Sequence, residues 1–309
     1  MTTRAQDERP QGRVRTIFRH RASSAFNAAL LLFLCGIPVE GHVGQIVYPI
    51  YELSSADLPV FHDDTLDDWD QVLPNASLTQ DDFAITDGSQ VDLEDFAFRV
   101  FLAWHSSSQQ VMVGVEMLDD IYLGPVDGTI GNGWLRFVID GDHTGGEYLF
   151  TEDGERLPMD QAQVYAARPE AIDGRLLSLL EEAYGIARPP WGDVAGFVIG
   201  ESPTLSGIEL RVTPWDNLDW RDLEGSYRSR LAPGRIVGFG LEVVDADIAG
   251  EPDGVYTLAG IGIGALLNAQ FLVDGVLIPC SVGDCTGSAT SSIEPNTWAM
   301  IKASLRTED

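Results

Sequence analysis

The chain has 309 residues, and its 48 acidic residues outnumber its 19 basic residues, giving a formal net charge of −29. Proteins that bind duplex nucleic acid or anionic lipid surfaces use clusters of basic residues. This sequence has a single lysine, Lys302, and no basic cluster beyond residue 30, which argues against both partners. Hydrophobic residues make up 44% of the chain, so its composition is also unlike that of a disordered protein.

The N-terminal segment predicts export. Residues 1–24 are polar and contain six arginines, and a mostly apolar stretch follows at residues 25–39. A bilayer-spanning helix needs about 20 apolar residues, whereas a basic segment before a shorter apolar core is typical of a secretory signal peptide. We predict a signal peptide at residues 1–44 and a periplasmic, cell-surface or extracellular protein with no membrane insertion after its removal. An uncleaved N-terminal anchor is the alternative.

Most of the remaining sequence predicts short β-strands. Residues 96–105 and 110–118 show partial alternation of apolar residues with polar or small ones on either side of an SSSQ turn, which indicates a β-hairpin. Many short strands separated by Gly- and Asp-rich turns favour an all-β fold, specifically an antiparallel, jelly-roll-like β-sandwich. We expect one domain over residues 46–306. Its further predicted strands are 134–140, 196–200, 207–212, 235–244, 255–262 and 297–305.

Two short helices are expected beside the strands. Residues 169–184 contain four closely spaced leucines, and Gly185 follows as a stop signal. A second helical turn is predicted at residues 66–71.

Cys280 and Cys285, in CSVGDC, are the cysteines that remain after the predicted signal is removed. In an exported protein a short-loop disulfide between them is the favoured interpretation. A zinc site is the weaker alternative, because two thiols with no nearby histidine supply at most half of its ligands.

Acidic residues follow three of the predicted strands. Aspartates at alternate positions beside glycine suit a hard cation, because side-chain and carbonyl oxygens converge around the turn. We therefore predict calcium in at least one of these loops. The alternative is that Asp and Gly simply populate turns. The candidate metal ligands are Asp119, Asp120, Asp140, Asp142, Asp245 and Asp247.

Three tryptophans lie in segments rich in Pro, Asp and Asn (RPPWGD and TPWDNLDW). The apolar face of a pyranose ring stacks on an exposed aromatic ring, while carboxylates and amides bond its hydroxyls. We predict a sugar site formed by Trp191, Trp215 and Trp220, with hydrogen bonds from Asp216 and Asn217. The alternative is that these tryptophans anchor their loops against the sandwich.

Common catalytic signatures are absent from the sequence, including G-x-S-x-G, H-E-x-x-H, the P-loop and G-x-G-x-x-G. His62, His105 and His143 are scattered along the chain. A glycosidase with two catalytic carboxylates stays open, because the abundant acids offer many pairs and single out none of them.

The order of these segments resembles the family 9 carbohydrate-binding modules and their wider superfamily. The pattern is an acidic turn with a tryptophan, a hairpin ending in Asp, a strand entering an acidic loop, a strand ending in paired aspartates, and a strand containing tryptophan. These blocks are residues 58–72, 97–120, 134–146, 234–254 and 296–305.

The resemblance implies a calcium-bound β-sandwich that grips sugar chains without catalysis, often through stacking tryptophans. By position, Asp119, Asp140 and Asp245 match the acidic strand ends of the pattern. Residues from about 150 to 233 form an insertion that departs from it and contains the longer predicted helix.

We therefore expect an exported, non-catalytic domain that binds a polysaccharide or glycan and is stabilised by calcium. Three alternatives are kept open by the sequence: a glycoside-active enzyme, a haem- or redox-binding relative of the sandwich, and a structural surface or assembly protein.

Overall fold

The computed structural model describes residues 47–73, 78–88, 93–124, 133–146, 159–170, 177–178, 185–258 and 268–279. All of them belong to the unit Glu40–Asp309. The predicted signal peptide, Cys280, Cys285 and the predicted strand 297–305 lie outside the described residues.

The described part of the chain contains fifteen β-strands and one α-helix, with single-turn 3-10 helices at Gln80–Asp82, Ala269–Phe271 and residues 185–187. The α-helix is α1 (Asp67–Val72). The strands are β1 (Val47–Glu52), β2 (Leu78–Thr79), β3 (Ala84–Gly88), β4 (Phe96–His105), β5 (Gln110–Asp119), β6 (Trp134–Asp140), β7 (Gln163–Ala167), β8 (Leu177–Ser178), β9 (Gly192–Ile199), β10 (Thr204–Val212), β11 (Trp215–Asn217), β12 (Tyr227–Arg228), β13 (Ile236–Asp245), β14 (Gly254–Thr257) and β15 (Val273–Ile278).

Thirteen strands form one curled sheet, in the order β8-β7-β6-β13-β15-β1-β4-β5-β10-β9, with β14, β3 and β2 attached beside this path. Its parts pack on each other as a β-sandwich, which confirms the predicted fold class. The pairing is antiparallel except at β1, which runs parallel to both β15 and β4. Strands β11 and β12 form a separate two-stranded sheet.

The predicted hairpin is present as β4 and β5, paired in register from Phe96–Asp119 to His105–Gln110. The helical turn predicted at residues 66–71 is present as α1. The helix predicted at 169–184 is wrong where that segment is described, because Leu177 and Ser178 form β8 and pair with β7. Here strand pairing at the sheet edge overrides the helical preference of the leucines. No helix among the described residues is long and apolar enough to span a bilayer.

Strand β4 is buried at all ten positions, because both of its faces are covered. Residues on the two faces alternate, as strand geometry requires. One set, which includes Phe98 and Trp104, joins the main core of the sandwich. The other set, which includes Phe101, joins a second cluster formed with Trp69 of α1. The strand therefore separates two apolar layers.

Polar contacts also hold α1 on the outer face of the sheet. The Trp69 indole Nε1 donates a hydrogen bond to Glu209 Oε1 at 2.8 Å. The Arg99 guanidinium donates to Asp70 at 2.7 and 2.9 Å and to Glu116 Oε2 at 2.8 Å. Since the Glu116 side chain is fully buried, Arg99 is the cation that compensates its charge.

Replacing Arg99 with Met leaves the Glu116 carboxylate buried without this cation. We expect Arg99→Met to lower the free energy of unfolding by about 3–5 kcal/mol, the usual cost of breaking a buried ion pair. Urea unfolding measures the change. Arg221→Met is the matched control, because Arg221 pairs with Asp219 on the exposed surface, and it should leave stability unchanged. Equal effects of the two substitutions would contradict this role of Arg99.

The raised pKa of Glu209 predicts that the stability of the fold depends on pH. Burial raises the pKa of Glu209 to about 8, from an ordinary value of 4.5, and the charges of Asp68 and Asp63 add to the shift. The folded protein therefore retains a proton that the unfolded chain releases. This stabilising contribution is complete below about pH 4.5 and is lost as the pH rises to about 8.

Glu209→Gln keeps an oxygen acceptor for Trp69 and does not titrate. We expect the unfolding free energy of the native protein to fall relative to Glu209→Gln as the pH rises through this window, with a slope approaching about 1.4 kcal/mol per pH unit. Denaturant titrations across the window measure both curves. Parallel curves would show that Glu209 ionises normally in the folded state.

Candidate functional site

Two regions of the described structure gather polar side chains around a site, and β5 connects them. Gln110, at the start of β5, lines a cavity beside Trp191. Asp119, at the end of the same strand, belongs to a cluster of carboxylates. At about 3.3 Å per residue, the length of β5 separates the two regions by about 30 Å.

Strands β5 and β13 end next to each other and bring their terminal aspartates together. The carboxylates of Asp119, Asp245 and Asp247 lie within 4.8 Å of one another, and Asp95, Asp120 and Asp247 form a second such group. We call these five residues, together with Asp253, the acidic cluster. Asp253 joins it through its backbone N–H, which donates to the Asp245 carbonyl, and its carboxylate, which accepts from the Asp247 N–H, both at 3.0 Å.

The acidic cluster holds closely spaced, partly buried negative charge. Asp245 is only 2% exposed. Burial raises its pKa to about 8, and the neighbouring carboxylates of Asp119, Asp95, Asp247 and Asp253 raise it further in the same direction. Repulsion within the cluster is relieved either by protons or by a bound cation.

The donor set of the acidic cluster fits a hard cation. One carboxylate oxygen, Oδ1, of each of Asp120, Asp245 and Asp247 is buried without a hydrogen-bond partner among the described residues. Such orphaned acceptors are rare in folded proteins. Oxygen ligands from carboxylates on several loops are those that Ca²⁺ prefers.

Asp119, Asp120, Asp245 and Asp247 were predicted as metal ligands, and the structure brings all four together. Asp95 was not predicted from the sequence, although the register of the β4–β5 hairpin indicates its position. Phe96 pairs with Asp119, so an acid just before β4 lies beside the end of β5.

Asp140 and Asp142, also predicted as metal ligands, do not join the acidic cluster. Asp140 accepts hydrogen bonds from the backbone N–H groups of His143 and Gly145 at 2.9 and 2.8 Å. Asp142 accepts one from the Thr144 hydroxyl at 2.7 Å. These two carboxylates stabilise the turn after β6, and the structure places them apart from the other four candidate ligands.

A cavity of about 450 Å³ opens beside Trp191, and we call it the Trp191 pocket. Trp191 lies directly before β9. The edge-to-face contact with Trp215, at 5.1 Å between ring centroids, holds its ring in place. The main polar groups of the wall are Gln110, Asp193, Arg211, Thr213 and Arg228.

Two of the other predicted sugar-binding residues have different roles. Trp215 is fully buried, so its ring is not available for stacking on a sugar, which corrects that prediction. Asp216 lies 3.4 Å from Arg235 and pairs with it.

The remaining two, Trp220 and Asn217, are not among the residues lining the Trp191 pocket. Trp220 is partly buried against the main core. Asn217 is exposed on β11. Of the three candidate tryptophans, Trp191 alone lines this pocket.

Contacts with neighbouring side chains position the charged groups of the pocket wall. Asp193 and Arg211 are cross-strand neighbours on β9 and β10, and Arg211 donates to Asp193 at 2.5 Å. The Arg211 guanidinium also lies 4.8 Å from the centre of the Phe61 ring. The Arg228 guanidinium lies 5.2 Å from the centre of the Trp191 ring. The sequence carries no local signal for this grouping, since strand pairing creates it.

No protein-family model and no curated protein sequence matches the chain. Solved structures do. A family 9 carbohydrate-binding module from Caldicellulosiruptor kristjanssonii, in complex with glucose, matches with a TM-score of 0.52 and 12% identity, covering 77% of this chain and 98% of that one. A second structure, of a family 9 module from the same organism with cellotriose, matches with a TM-score of 0.51 and 13% identity, covering 77% and 97%. The chain therefore has the fold of a family 9 carbohydrate-binding module.

Proposed function

We propose that the protein is an exported, non-catalytic carbohydrate-binding domain that holds a sugar in the Trp191 pocket and calcium in the acidic cluster. The observation that carries the proposal is the Trp191 pocket itself. It offers a partly exposed indole, fixed from behind by Trp215, beside several hydrogen-bonding side chains. Apolar surface with a few oriented polar groups is the usual composition of a ligand pocket.

The comparisons and the predicted signal peptide support this proposal. The fold is one on which two solved modules hold glucose and cellotriose. Secretion would place a sugar-binding domain where polysaccharides occur, and the order of basic and apolar segments within residues 1–44 matches the pattern of a signal peptide.

Calcium acts on the fold in this proposal and not on the sugar. The acidic cluster joins segments before β4, after β5 and after β13, and a bound cation would offset the repulsion among their carboxylates. The length of β5 keeps the cation about 30 Å from the Trp191 pocket. Calcium is therefore expected to order one end of the sandwich while the sugar binds near the other end of β5.

Calcium should raise the melting temperature of the purified protein, and EDTA should reverse the rise. Saturation at about 100 times the dissociation constant corresponds to about 2.7 kcal/mol of added stability. We expect Asp245→Asn to abolish the calcium-dependent shift, because Asp245 is buried within the cluster and its Oδ1 has no hydrogen-bond partner among the described residues. Thermal unfolding with and without calcium measures this.

Asp142→Asn is the matched control, because Asp142 lies outside the acidic cluster and bonds its own loop. It should retain the full calcium-dependent shift. A melting temperature that does not respond to calcium, or a shift lost equally in both variants, would contradict the metal site.

Trp191→Ala should weaken the binding of the preferred polysaccharide about tenfold or more, since truncating a central aromatic side chain in a binding site costs about 2 kcal/mol. Affinity electrophoresis on a polysaccharide panel, followed by calorimetry, measures the loss. Trp220→Ala is the control, since Trp220 is also partly buried but lies outside the pocket lining. It should bind as the native protein does.

Three results would replace this proposal. Hydrolysis of a bound polysaccharide that is lost on removing one carboxylate would identify a glycoside-active enzyme. A Soret band after expression would identify a haem-binding relative. Calcium-dependent self-association without any glycan binding would identify a structural or assembly protein.

A further inference from the structure

The wall of the Trp191 pocket differs in charge from the rest of the molecule. The chain carries a net charge of −29, with acids outnumbering basic residues by 48 to 19. The pocket wall instead contains two arginines, Arg211 and Arg228, and one acid, Asp193. The acidic protein as a whole repels an anionic ligand, whereas the positively charged wall of this cavity attracts one.

Arg228 is held in position without an anionic partner. Its guanidinium lies over the Trp191 ring at 5.2 Å from the ring centre, within the range of a cation–π contact. Among the described residues, it makes no ion pair with an acid. Its N–H donors are therefore pre-oriented by the indole and open to a ligand.

Arg211 is held in position from two sides. Asp193 accepts a hydrogen bond from one of its terminal nitrogens, and the Phe61 ring lies beneath its guanidinium at 4.8 Å. A guanidinium has five N–H donors in a rigid plane. A pair formed through one terminal nitrogen leaves further donors for a second anion.

We infer that the Trp191 pocket selects acidic sugars, and that Arg228 and Arg211 bind the carboxylate of a uronate residue. This inference rests on the proposed function and names its ligand class. Planar guanidinium groups match the geometry of a carboxylate. Since the aromatic rings already hold both arginines, less conformational entropy is lost on binding. A neutral sugar of the same length forms no charge-assisted hydrogen bonds with Arg228 and Arg211, so it binds less tightly than the acidic one.

The test compares two ligands on the full chain by isothermal titration calorimetry: a trigalacturonate and a neutral galactotriose of the same length. We expect the native protein to bind the acidic trisaccharide about tenfold or more tightly. Arg228→Gln should reduce that preference to near unity while leaving the affinity for the neutral trisaccharide unchanged. Arg228→Lys should restore part of the preference, because it returns the charge without the planar group.

Arg221→Gln is the matched control, since Arg221 is exposed, stacks on Trp220 and pairs with Asp219 away from the pocket lining. It should retain the full preference. Equal binding of both trisaccharides by the native protein would overturn the inference and leave the proposed function standing. An equal loss of both ligands in Arg228→Gln would likewise overturn it, by showing a structural role. Binding of no sugar from a broad panel would overturn the proposed function itself.

Discussion

The antiparallel pairing of β4 with β5 is the interaction on which the rest of the structure depends. It runs without interruption over ten residue pairs, from Phe96–Asp119 to His105–Gln110. Its main-core side chains fill the sandwich, and its opposite face receives α1. Gly114 permits that second contact, because a Cβ atom there would lie 3.0 Å from the Trp69 ring. The β4–β5 hairpin therefore contributes to both apolar layers. The two ends of β5 also supply Gln110 to the Trp191 pocket and Asp119 to the acidic cluster.

The fold was predictable because its central strands carry strong local patterns. Apolar residues at β4 and β5 and a turn between them define a hairpin before any tertiary contact is known. The helix predicted around the leucines near residue 177 shows the limit of such patterns. A short edge strand such as β8 depends on its partner, β7, and local propensity does not reveal the partner.

The proposed sites were predictable to different degrees for the same reason. Asp119 and Asp245 end long buried strands, so strand boundaries place them and pairing brings them together. Around Trp191, by contrast, the side chains come from separate loops and from both members of the β9–β10 pair. Composition marks the tryptophan loops but cannot distinguish the buried ring of Trp215 from the partly exposed ring of Trp191.

The parallel pairing of β1 has a consequence for the timing of folding. Val47 pairs with Asp274, so the first described strand completes its hydrogen bonds with the last one. Closing so long a loop is entropically costly, and folds dominated by such distant pairs form slowly. The sheet cannot close until the ribosome has made β15. A partly synthesised chain therefore lacks its closing pair, and in the proposed function this delay would keep the exported chain from completing its fold before it crosses a membrane.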